Sequence, residues 1–373
     1  MKITRITADG YKNLKNVDIS PDENLNIFCG KNAQGKTNLI EAVWLCTGCR
    51  SFRTARDRNF IGFDSEKAAV SVKFLDSERE QEAAFEIKKG ALRDKNITLN
   101  GVKLPLMSRL FGNLKCVVFT PDDLTLLKGS PEVRRNFIDL SASQIKPSFV
   151  SALNKYSNLL SQRNAVIKNI SFGISTAEDL DIWDRQIAKT GAYISLVRYA
   201  YCTDLSKYTA KLYESITGGS EKMTLCYSST VYDDLAGKSD YNGELADIYY
   251  ERLKRGESDD IRVGYTLAGV HRDDISAEIN GLDIREFGSQ GQQRSAAVAM
   301  KIAQARIIKD QLGDSPVMLL DDVFSELDDS RKEFILGNIC DIQVMITCCD
   351  ESFITDRNMN GKIFKVNSGN ISE

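Results

Sequence analysis

The sequence has little of what membrane, secreted or histidine-dependent proteins require. Its single histidine, His271, leaves little room for Ser–His or Cys–His catalysis. No apolar run approaches the roughly 18 residues of a membrane helix, and residues 1–13 lack the continuous apolar segment of a secretory signal. Basic residues are not in excess, since 49 Lys and Arg face 52 Asp and Glu. We therefore expect a cytoplasmic chain that contacts no membrane and whose nucleic-acid binding would depend on local basic patches.

The nine cysteines do not form a pattern typical of disulfide-bonded or zinc proteins. Their number is odd and no export signal accompanies them, which indicates reduced thiols. Only Cys46 and Cys49 form a C-x-x-C pair, and a zinc site needs a second pair of ligands. We interpret both residues as buried or interface thiols.

The first part of the chain predicts β-strands, and the middle predicts helices. Strand patterns cover 2–7, 24–29, 69–74, 82–87 and 97–99, Asn100-Gly101 predicts a hairpin turn, and 115–124 predict a strand running into a Pro-Asp turn. Between 149 and 212 the apolar residues mostly recur every three or four positions, which predicts two long helices. Ser175 and Glu178, between these helices, have the spacing of a capping box. An antiparallel helical arm over 131–213 is the natural interpretation, and core helices within one domain are the alternative.

Helices and strands alternate in the last part of the chain. Strand patterns cover 222–228, 261–268, 316–320 and 343–347, a second Asn-Gly turn predicts a hairpin within 277–284, and a helix starts at the glycines of 288–291 and runs to about 310. This alternation indicates a parallel α/β sheet.

The first functional motif is a phosphate-binding loop. Residues 30–37 (GKNAQGKT) match G-x-x-x-x-G-K-[ST] between an apolar strand and an amphipathic helix, which is the context that the motif requires. Glycines let backbone N–H groups face an anion, and the helix N-terminus adds a favourable dipole. We expect Lys36 to reach the β- and γ-phosphates of ATP and Thr37 to hold Mg²⁺. A chance match on a glycine turn is the alternative. The candidate nucleotide-binding residues of this motif are Gly30, Lys31, Asn32, Ala33, Gln34, Gly35, Lys36, Thr37 and Asn38.

The second motif is an apolar strand that ends in two acids, PVMLLDD at 316–322. We expect Asp321 to coordinate Mg²⁺ through water or Thr37, and Asp322 to orient or deprotonate the attacking water. Asp322 and Lys36 are therefore the candidate catalytic residues. Many surface turns also contain an apolar strand followed by two acids. The presence of the phosphate-binding loop in the same chain makes this second motif a stronger indication of a nucleotide site.

The third motif, SQGQQR at 289–294, starts a helix and offers a serine hydroxyl and a glycine backbone to a second anion. It adds Ser289, Gln290, Gly291 and Gln292 to the candidate nucleotide-binding residues. One γ-phosphate could engage both helix starts only if they converge. A glycine-capped helix start without a ligand is the alternative.

These motifs, with LLDD at 319–322 and SELD at 325–328, resemble an ABC-type ATPase head of the SMC-related group. Within that group the chain is similar to the RecF family of bacterial replication and repair proteins. The similarity rests on further stretches spread over nearly the whole chain, at 8–14, 50–57, 120–139 and 266–274.

The resemblance implies an α/β fold, in which an ABC-type head with a P-loop sheet carries an inserted helical arm. Residues 1–130 would be the N-terminal part of the head with the Walker A loop, and 131–213 the arm. Residues 214–373 would supply the signature motif, the Walker B acids and the D-loop.

The resemblance also implies an ATP-dependent homodimer in which two heads sandwich two ATP molecules. Residues 30–37 of one chain would then face Ser289 and Gly291 of the other, with Ser325 and Asp328 at the dimer seam. It further implies binding of duplex, single-stranded or gapped DNA, partners of the RecR and RecO type, and a RecA-type recombinase. Recombinational repair, replication-fork maintenance and the SOS response to DNA damage are the implied processes.

The chain departs from transporter-type ABC proteins in three ways. Asp322 stands where transporters have glutamate, and its shorter side chain predicts slow hydrolysis that suits a switch. Cys348-Cys349-Asp350 follow the strand at 343–347 where a switch histidine is expected, and Thr347 is a candidate replacement. No clear Q-loop glutamine is present, and TPDD at 120–123 occupies that region.

Basic clusters are the candidates for DNA contact, because clustered Arg and Lys neutralise backbone phosphates without reading bases. For each cluster a solvated charged face is the alternative, and Arg53 or Arg56 could instead touch ATP or a partner subunit. The segment His271-Arg272-Asp273-Asp274 is either structural or near the nucleotide. The main cluster is Arg50, Arg53, Arg56 and Arg58, and a smaller one is Lys128, Arg134 and Arg135.

Two other function classes compete with the ATP-gated DNA clamp. The nucleotide-binding subunit of a membrane transporter would need a Q-loop and a switch histidine. A small-molecule kinase built on a P-loop would need neither a signature helix nor the SELD segment.

Overall fold

A computed structural model of the chain describes residues 1–53, 57–90, 95–349 and 361–373. The chain divides into two compact units. The first unit is Met1–Thr125, Leu212–Gly219 and Gln290–Glu373, and the second unit is Leu126–Lys211 and Ser220–Ser289. In the described ranges, no helix is both long and apolar enough to cross a membrane.

The strands lie mainly in the first unit. In chain order they are β1 Lys2–Asp9, β2 Val17–Ile19, β3 Leu25–Cys29, β4 Lys67–Leu75, β5 Glu80–Lys88, β6 Asn96–Leu99, β7 Val102–Leu104, β8 Cys116–Phe119, β9 Met223–Ser228, β10 Asp274–Ile279, β11 Leu282–Asp283, β12 Val317–Asp321, β13 Val344–Cys348, β14 Lys362–Asn367 and β15 Asn370–Ser372.

The helices are concentrated in the middle of the chain. They are α1 Lys36–Leu45, α2 Pro131–Ile145, α3 Ser148–Ser171, α4 Asp181–Ile216, α5 Glu244–Val263, α6 Ile284–Phe287, α7 Gln290–Leu312 and α8 Asp329–Asn338.

In the part of the first unit that the structure describes, the strands form two six-stranded sheets. One is antiparallel, in the order β2-β1-β4-β5-β6-β7, and the other has the order β15-β14-β3-β13-β12-β8. In the second sheet β14, β3, β13, β12 and β8 pair in parallel, and only β15 is antiparallel. The parallel α/β sheet predicted from the sequence is confirmed. Its strands place the functional motifs at one edge, because parallel strands share their carboxyl ends.

Helix α1 is buried on nearly all sides. It packs against β12 and β13 of the parallel sheet and against β1 and β4 of the antiparallel sheet. Its run of apolar residues from Leu39 to Leu45 therefore lies in the core, together with the carboxylate of Glu41. That carboxylate accepts hydrogen bonds from Tyr11, Lys12 and Ser51, which satisfies a charge that would otherwise be costly to bury.

The second unit is mostly helical, with the small sheet β11-β10-β9. Helices α3 and α4 run antiparallel, since the ring of Phe149 lies 6.3 Å from that of Tyr193 while Arg163 meets Asp184 nearer the turn. The two long helices predicted from the sequence are confirmed. The division into 1–130, 131–213 and 214–373 stays a prediction.

Both predicted Asn-Gly hairpins are confirmed. Asn100 and Gly101 join β6 to β7, and Asn280 and Gly281 join β10 to β11, each with positive φ at both positions as a tight turn of this kind requires.

Two local predictions were wrong. Of the strand expected at 261–268, residues 261–263 are the end of helix α5 and the rest is not a strand. The buried residues Leu245, Tyr249 and Leu253 of α5 recur at helical spacing, and the helix stops where Gly264 takes a left-handed conformation. The capping box lies one residue further along than expected. It is formed by Thr176 and Asp179, which bond to each other's backbone N–H groups.

Candidate functional site

The phosphate-binding loop, residues 30–37, connects β3 to α1 as predicted. Gly35 sits at the helix N-cap with φ 117°, and a Cβ there would lie 2.9 Å from Oδ1 of Asn13. Both the backbone conformation and the close approach of Asn13 therefore require glycine. The loop keeps the backbone cradle that a polyphosphate needs.

The ammonium of Lys36 is held inside this loop. The residue is only 6% exposed. Its Nζ donates to the carbonyl oxygens of Gly30 and Lys31, the latter at 3.1 Å, and lies 3.4 Å from Sγ of Cys349. The lysine cation is thus fixed where the loop backbone turns around it.

The segment around Asn13 supports the loop from the N-terminal strands. Asn13 accepts a 2.7 Å hydrogen bond from Nδ2 of Asn38, and its own amide donates to the carbonyl of Ala33 at 3.4 Å. Arg53 donates to Oδ1 of Asn38 at 3.0 Å. The stretch 8–14 and residues 50–53 of the stretch 50–57 both contact α1.

The turn between β14 and β15 supports the loop from the other side. The backbone N–H of Ser368 donates to Oε1 of Gln34 at 2.6 Å, and the N–H of Gly369 donates to the Gln34 carbonyl at 2.9 Å. Sequence reasoning missed this hairpin. The turn residues Asn367, Ser368 and Gly369 were the available signal.

The two acids lie at the carboxyl end of β12, close to the loop. Strand β13 separates β12 from β3, and Thr347 of β13 is in register with both Asp321 and Phe28. The Thr347 hydroxyl donates to Oδ1 of Asp321 at 2.9 Å and accepts from the backbone N–H of Asp322 at 2.9 Å. A single hydroxyl therefore fixes the positions of both acids.

The electrostatics of the acids follow from their burial. Burial raises the pKa of the Asp321 carboxyl, against hydrogen bonds from Thr347 and Thr37 that lower it. Burial likewise raises the pKa of Asp322, while the Lys36 charge lowers it. Asp322 also has φ 52°, a strained conformation for a residue with a side chain that is typical of functional sites.

The oxygen donors at this edge fit a magnesium ion. Asp321 supplies a carboxylate and Thr37 a hydroxyl that hydrogen-bonds to it, and hard cations prefer such oxygens, with waters filling the remaining positions. A Mg²⁺ ion bound there would neutralise phosphate charge next to Lys36.

The start of α7 is tied to the SELD segment within the first unit. Arg331 donates to the Gly291 carbonyl at 2.9 Å and to the Ser295 hydroxyl at 3.0 Å, and it pairs with Asp328. Arg294 donates to the Glu326 carbonyl at 2.6 Å. The helix begins at Gln290 directly after Ser289, as predicted, with Gly291 and Gln292 in its first turn.

The main basic cluster is only partly described. Arg50 is exposed, and its carbonyl accepts from the Trp44 indole at 2.9 Å. Arg53 is exposed but directed to Asn38, and its charge is among those that lower the pKa of Asp321. Arg56 and the side chain of Arg58 lie outside the described residues, as does Asp350.

Two members of the smaller cluster make internal contacts, whereas Lys128 is exposed, so contact of this cluster with DNA stays a prediction. Arg134 is 3% exposed and forms two hydrogen bonds of 2.7 Å to the Asp274 carboxylate. Arg135 donates to the Asp273 carbonyl at 2.7 Å. Clustered charge in the sequence did not distinguish internal ion pairs from exposed ones.

The segment around His271 is held by hydrogen bonds within the second unit. Its Nδ1 lies 2.9 Å from the Tyr156 hydroxyl and its Nε2 lies 3.1 Å from the Thr266 carbonyl, an arrangement suited to a neutral ring. Burial lowers the pKa of His271 to about 4. Asp273 is also buried and accepts from Tyr227 and Thr230. These bonds organise the second unit.

The TPDD turn is held by a buried lysine of α7. Lys301 lies 2.8 Å from the Asp123 carboxylate and donates to the Val118 carbonyl at 2.8 Å, while Asp123 accepts from the Thr120 N–H at 2.8 Å. The turn therefore connects β8 to α7.

The fold and the site together define a class. A parallel sheet, a phosphate-binding loop after one strand, paired acids after another and a signature helix joined to a SELD segment form an ABC-type ATPase head.

Comparison with known proteins narrows this class. The model of the RecF/RecN/SMC N terminal domain matches residues 2–372. The DNA replication and repair protein RecF of Acetivibrio thermocellus is 37% identical over 365 residues, which are 98% of this chain and 97% of that protein. The RecF protein of Halothermothrix orenii is 38% identical over 375 residues, covering 100% and 99% of the two chains. The chain belongs to the RecF family within the RecF/RecN/SMC group.

Solved structures agree with this assignment. A structure described as the recombination mediator protein RecF-ATPrS in the RecFOR pathway superposes with a TM-score of 0.91 at 32% identity, covering 99% of this chain and 97% of the other. An Smc head bound to the C-winged helix domain of ScpA reaches a TM-score of 0.55 at 15% identity, covering 100% and 97%, and shows the fold alone.

Proposed function

We propose that this protein is an ATP-dependent DNA-binding protein of recombinational repair and replication-fork maintenance that closes as a homodimer around ATP. The observation that carries the proposal is the convergence of the Lys36 loop with Asp321, Asp322 and Thr347 at one sheet edge. Two relatives support it, because solved RecF structures are described as complexes with ATP or ATPrS in the RecFOR pathway.

The proposed roles follow from the contacts. Residues 30–38 hold the triphosphate, with Lys36 at the β- and γ-phosphates, and Thr37 and Asp321 hold Mg²⁺. Asp322 orients the attacking water. Its short side chain and fixed backbone leave it little freedom to approach the γ-phosphate, so we propose slow hydrolysis that acts as a switch.

Dimer formation is proposed from the second phosphate-binding helix start. Ser289, Gln290, Gly291 and Gln292 of one chain would face the γ-phosphate held by the other chain. The Arg331 contacts to Gly291 and Asp328 support this, because they hold the helix start and the D-loop as one surface. Ser325 and Asp328 would then lie at the seam.

The deciding experiment compares Ser289→Arg with Lys36→Ala. Ser289→Arg should leave ATP binding by the monomer largely intact and block ATP-dependent dimerisation, because a bulky cation replaces a hydroxyl at the shared phosphate. Lys36→Ala should abolish ATP binding itself. Light scattering during gel filtration measures the dimer, and fluorescent ATP measures binding. Normal ATP-dependent dimerisation of Ser289→Arg would exclude the composite site.

DNA binding is proposed through the exposed part of the basic cluster, with Arg50 as its described member. Arg53 is proposed to serve the nucleotide site instead, given its bond to Asn38. Partners of the RecO and RecR type and loading of a RecA-type recombinase are proposed by family relationship.

Binding to duplex, single-stranded and gapped DNA should be measured with and without ATP at several salt concentrations. A steep fall of affinity with salt is expected if phosphates are the main contacts. DNA binding with the same affinity in the presence and absence of ATP would contradict an ATP-gated clamp. No binding to DNA under any condition is the result expected of a small-molecule kinase.

A further inference from the structure

Three cysteines, Cys29, Cys348 and Cys349, lie at the ends of two neighbouring strands next to the phosphate-binding loop. Cys29 ends β3 directly before Gly30, and Cys348 is its in-register partner on the neighbouring parallel strand β13. Cys29 Sγ lies 3.6 Å from the carbonyl oxygen of the next residue, Cys349. The thiols therefore gather at the sheet edge that also carries Lys36.

Cys349 is the member of this group that touches the loop itself. Its Sγ lies 3.4 Å from Nζ of Lys36 and 2.9 Å from Oδ1 of Asn32. Its side chain is exposed, so a small reagent in solution can reach the sulfur. It is thus an accessible nucleophile in contact with the cation proposed to hold ATP.

Burial distinguishes five of the other cysteines from the exposed Cys349. Burial raises the pKa of Cys348, Cys49 and Cys202 to about 12, and that of Cys46 and Cys116 rises as well. Thiols of this kind react slowly, because the thiolate is the nucleophile. Cys226 lies in β9 and Cys340 lies two residues after the end of α8, and both are exposed thiols with which Cys349 can be compared.

We propose that Cys349 is a redox modification site that controls nucleotide binding, oxidised reversibly by a peroxide. The thiolate sulfur attacks one peroxide oxygen, the O–O bond breaks, and the other oxygen leaves as hydroxide and is protonated to water. Sulfur loses two electrons and becomes a sulfenic acid, and the peroxide is reduced. A thiol reductant restores Cys349, with a disulfide of the reductant and water as products.

The modification acts through Lys36 and Asn32. The added oxygen is a hydrogen-bond acceptor placed beside the Lys36 ammonium, where it competes with a phosphate oxygen, and it adds volume beside the loop. Loss of one charged hydrogen bond corresponds to a fall in ATP affinity of about tenfold. This effect rests on the proposed ATP binding, whereas the reactivity of Cys349 does not.

The first test measures reactivity alone. The purified full chain is treated with hydrogen peroxide and dimedone, which traps sulfenic acids, and peptide masses report each cysteine. Cys349 should be labelled well ahead of the exposed Cys226 and Cys340. Equal labelling of the three overturns the proposal.

The second test measures the ratio of ATP affinity before and after peroxide, then after dithiothreitol. Wild type and the control variants Cys226→Ser and Cys340→Ser should lose about tenfold and recover with the reductant, whereas Cys349→Ser should give a ratio near one. A peroxide-sensitive Cys349→Ser variant overturns the proposal. Failure of the reduced wild type to bind ATP would instead refute the proposed function. The labelling test would still measure the reactivity of Cys349, because it does not depend on ATP.

Discussion

At the scale of single residues, the Thr347 hydroxyl contacts both acids of the site. It donates to Asp321 and accepts from the backbone of Asp322, so it fixes both the proposed metal ligand and the proposed water-orienting acid. Its residue is fully buried, so no solvent molecule readily replaces these bonds. From the sequence, Thr347 was a candidate replacement for the missing switch histidine. In the structure its hydroxyl is bonded to Asp321 and to the backbone of Asp322.

Replacing Thr347 with valine should impair hydrolysis more than binding. Thr347→Val keeps the shape of the side chain and removes both hydrogen bonds, which should cost about 1–2 kcal/mol of unfolding free energy. Hydrolysis in a single turnover should slow by about tenfold to a hundredfold, because the acids lose their fixed positions. Thr347→Ser is the matched control and should stay near wild type. A Thr347→Val variant with normal hydrolysis would remove this residue from the positioning of the acids.

His271 should make stability depend on pH. Its pKa is lowered to about 4 in the folded protein, against about 6.5 when unfolded. The unfolded chain therefore binds more protons between these values, and stability is lost as pH falls from 6.5 toward 4. The expected loss at pH 5 is about 1–2 kcal/mol of unfolding free energy.

Urea unfolding at pH 7.5 and pH 5 measures this effect. His271→Gln keeps a side chain that can donate to the Thr266 carbonyl and accept from Tyr156, and it cannot titrate. The variant should lose less stability on acidification than wild type. An identical loss in both proteins would show that other groups carry the pH dependence.

At the scale of elements, the hairpin of β14 and β15 is an overlooked support of the nucleotide loop. Its turn bonds to Gln34 on one side, and the Gly369 carbonyl accepts from the Lys15 N–H at 3.1 Å on the other. A Cβ on Gly369 would lie 1.7 Å from the Asn13 carbonyl oxygen. The turn can therefore reach both segments only with glycine at this position.

Gly369→Ala tests this support against a control with the same backbone strain. Gly369 and Gly313 both have positive φ, but nothing lies within 4 Å of a Cβ on Gly313. Gly313→Ala should cost about 1 kcal/mol of unfolding free energy, and Gly369→Ala about 1–3 kcal/mol more through overpacking. Only Gly369→Ala should also weaken ATP binding. Equal effects of the two variants in both measurements would exclude a role of the turn in holding the loop.

The elements read correctly from the sequence are those whose signals are local. The loop at 30–37 lies between a continuous apolar strand and a helix, and the Asn-Gly turns need only two residues. Helix α5 was missed because Ile261 and Val263 alternate like a strand, while its buried face is spread over earlier turns. The link from Thr347 to Asp321 depends on strand order, which pairs residues 26 positions apart and cannot be read from spacing.

Charge patterns were the least informative part of the sequence. Arg134 belongs to a sequence cluster that suggests an exposed basic surface, yet it is buried against Asp274, a residue 140 positions away. Arg53 lies beside the nucleotide loop because Asn38 accepts its hydrogen bond. Whether a charge is exposed is decided by distant partners, and a single sequence does not reveal them.

At the scale of the whole molecule, the proposed switch depends on the lifetime of the ATP-bound dimer. ATP would join two heads, and hydrolysis of ATP by the water that Asp322 orients would release them. In this proposal, slow hydrolysis would set how long two chains remain together on DNA.

Asp322→Asn should extend that lifetime. The amide cannot accept a proton from water and lacks the charge that orients it, so hydrolysis should fall by about a hundredfold or more, while ATP still binds. Gel filtration should then show a dimer that persists after free ATP is removed, whereas wild type returns to monomer. Unchanged turnover of Asp322→Asn would remove this carboxylate from the catalytic role.

The position of β14 has a consequence for how the protein is made. This strand pairs with β3, whose end begins the phosphate-binding loop, although almost the entire chain is synthesised between the two. The ribosome must therefore synthesise the whole second unit before β3 gains this neighbour and Gln34 its hydrogen bonds. Contacts between such distant segments form slowly, so the nascent protein should acquire its nucleotide pocket only after β14 has been synthesised, and a stop codon before Lys362 would abolish ATP binding while sparing most of the second unit.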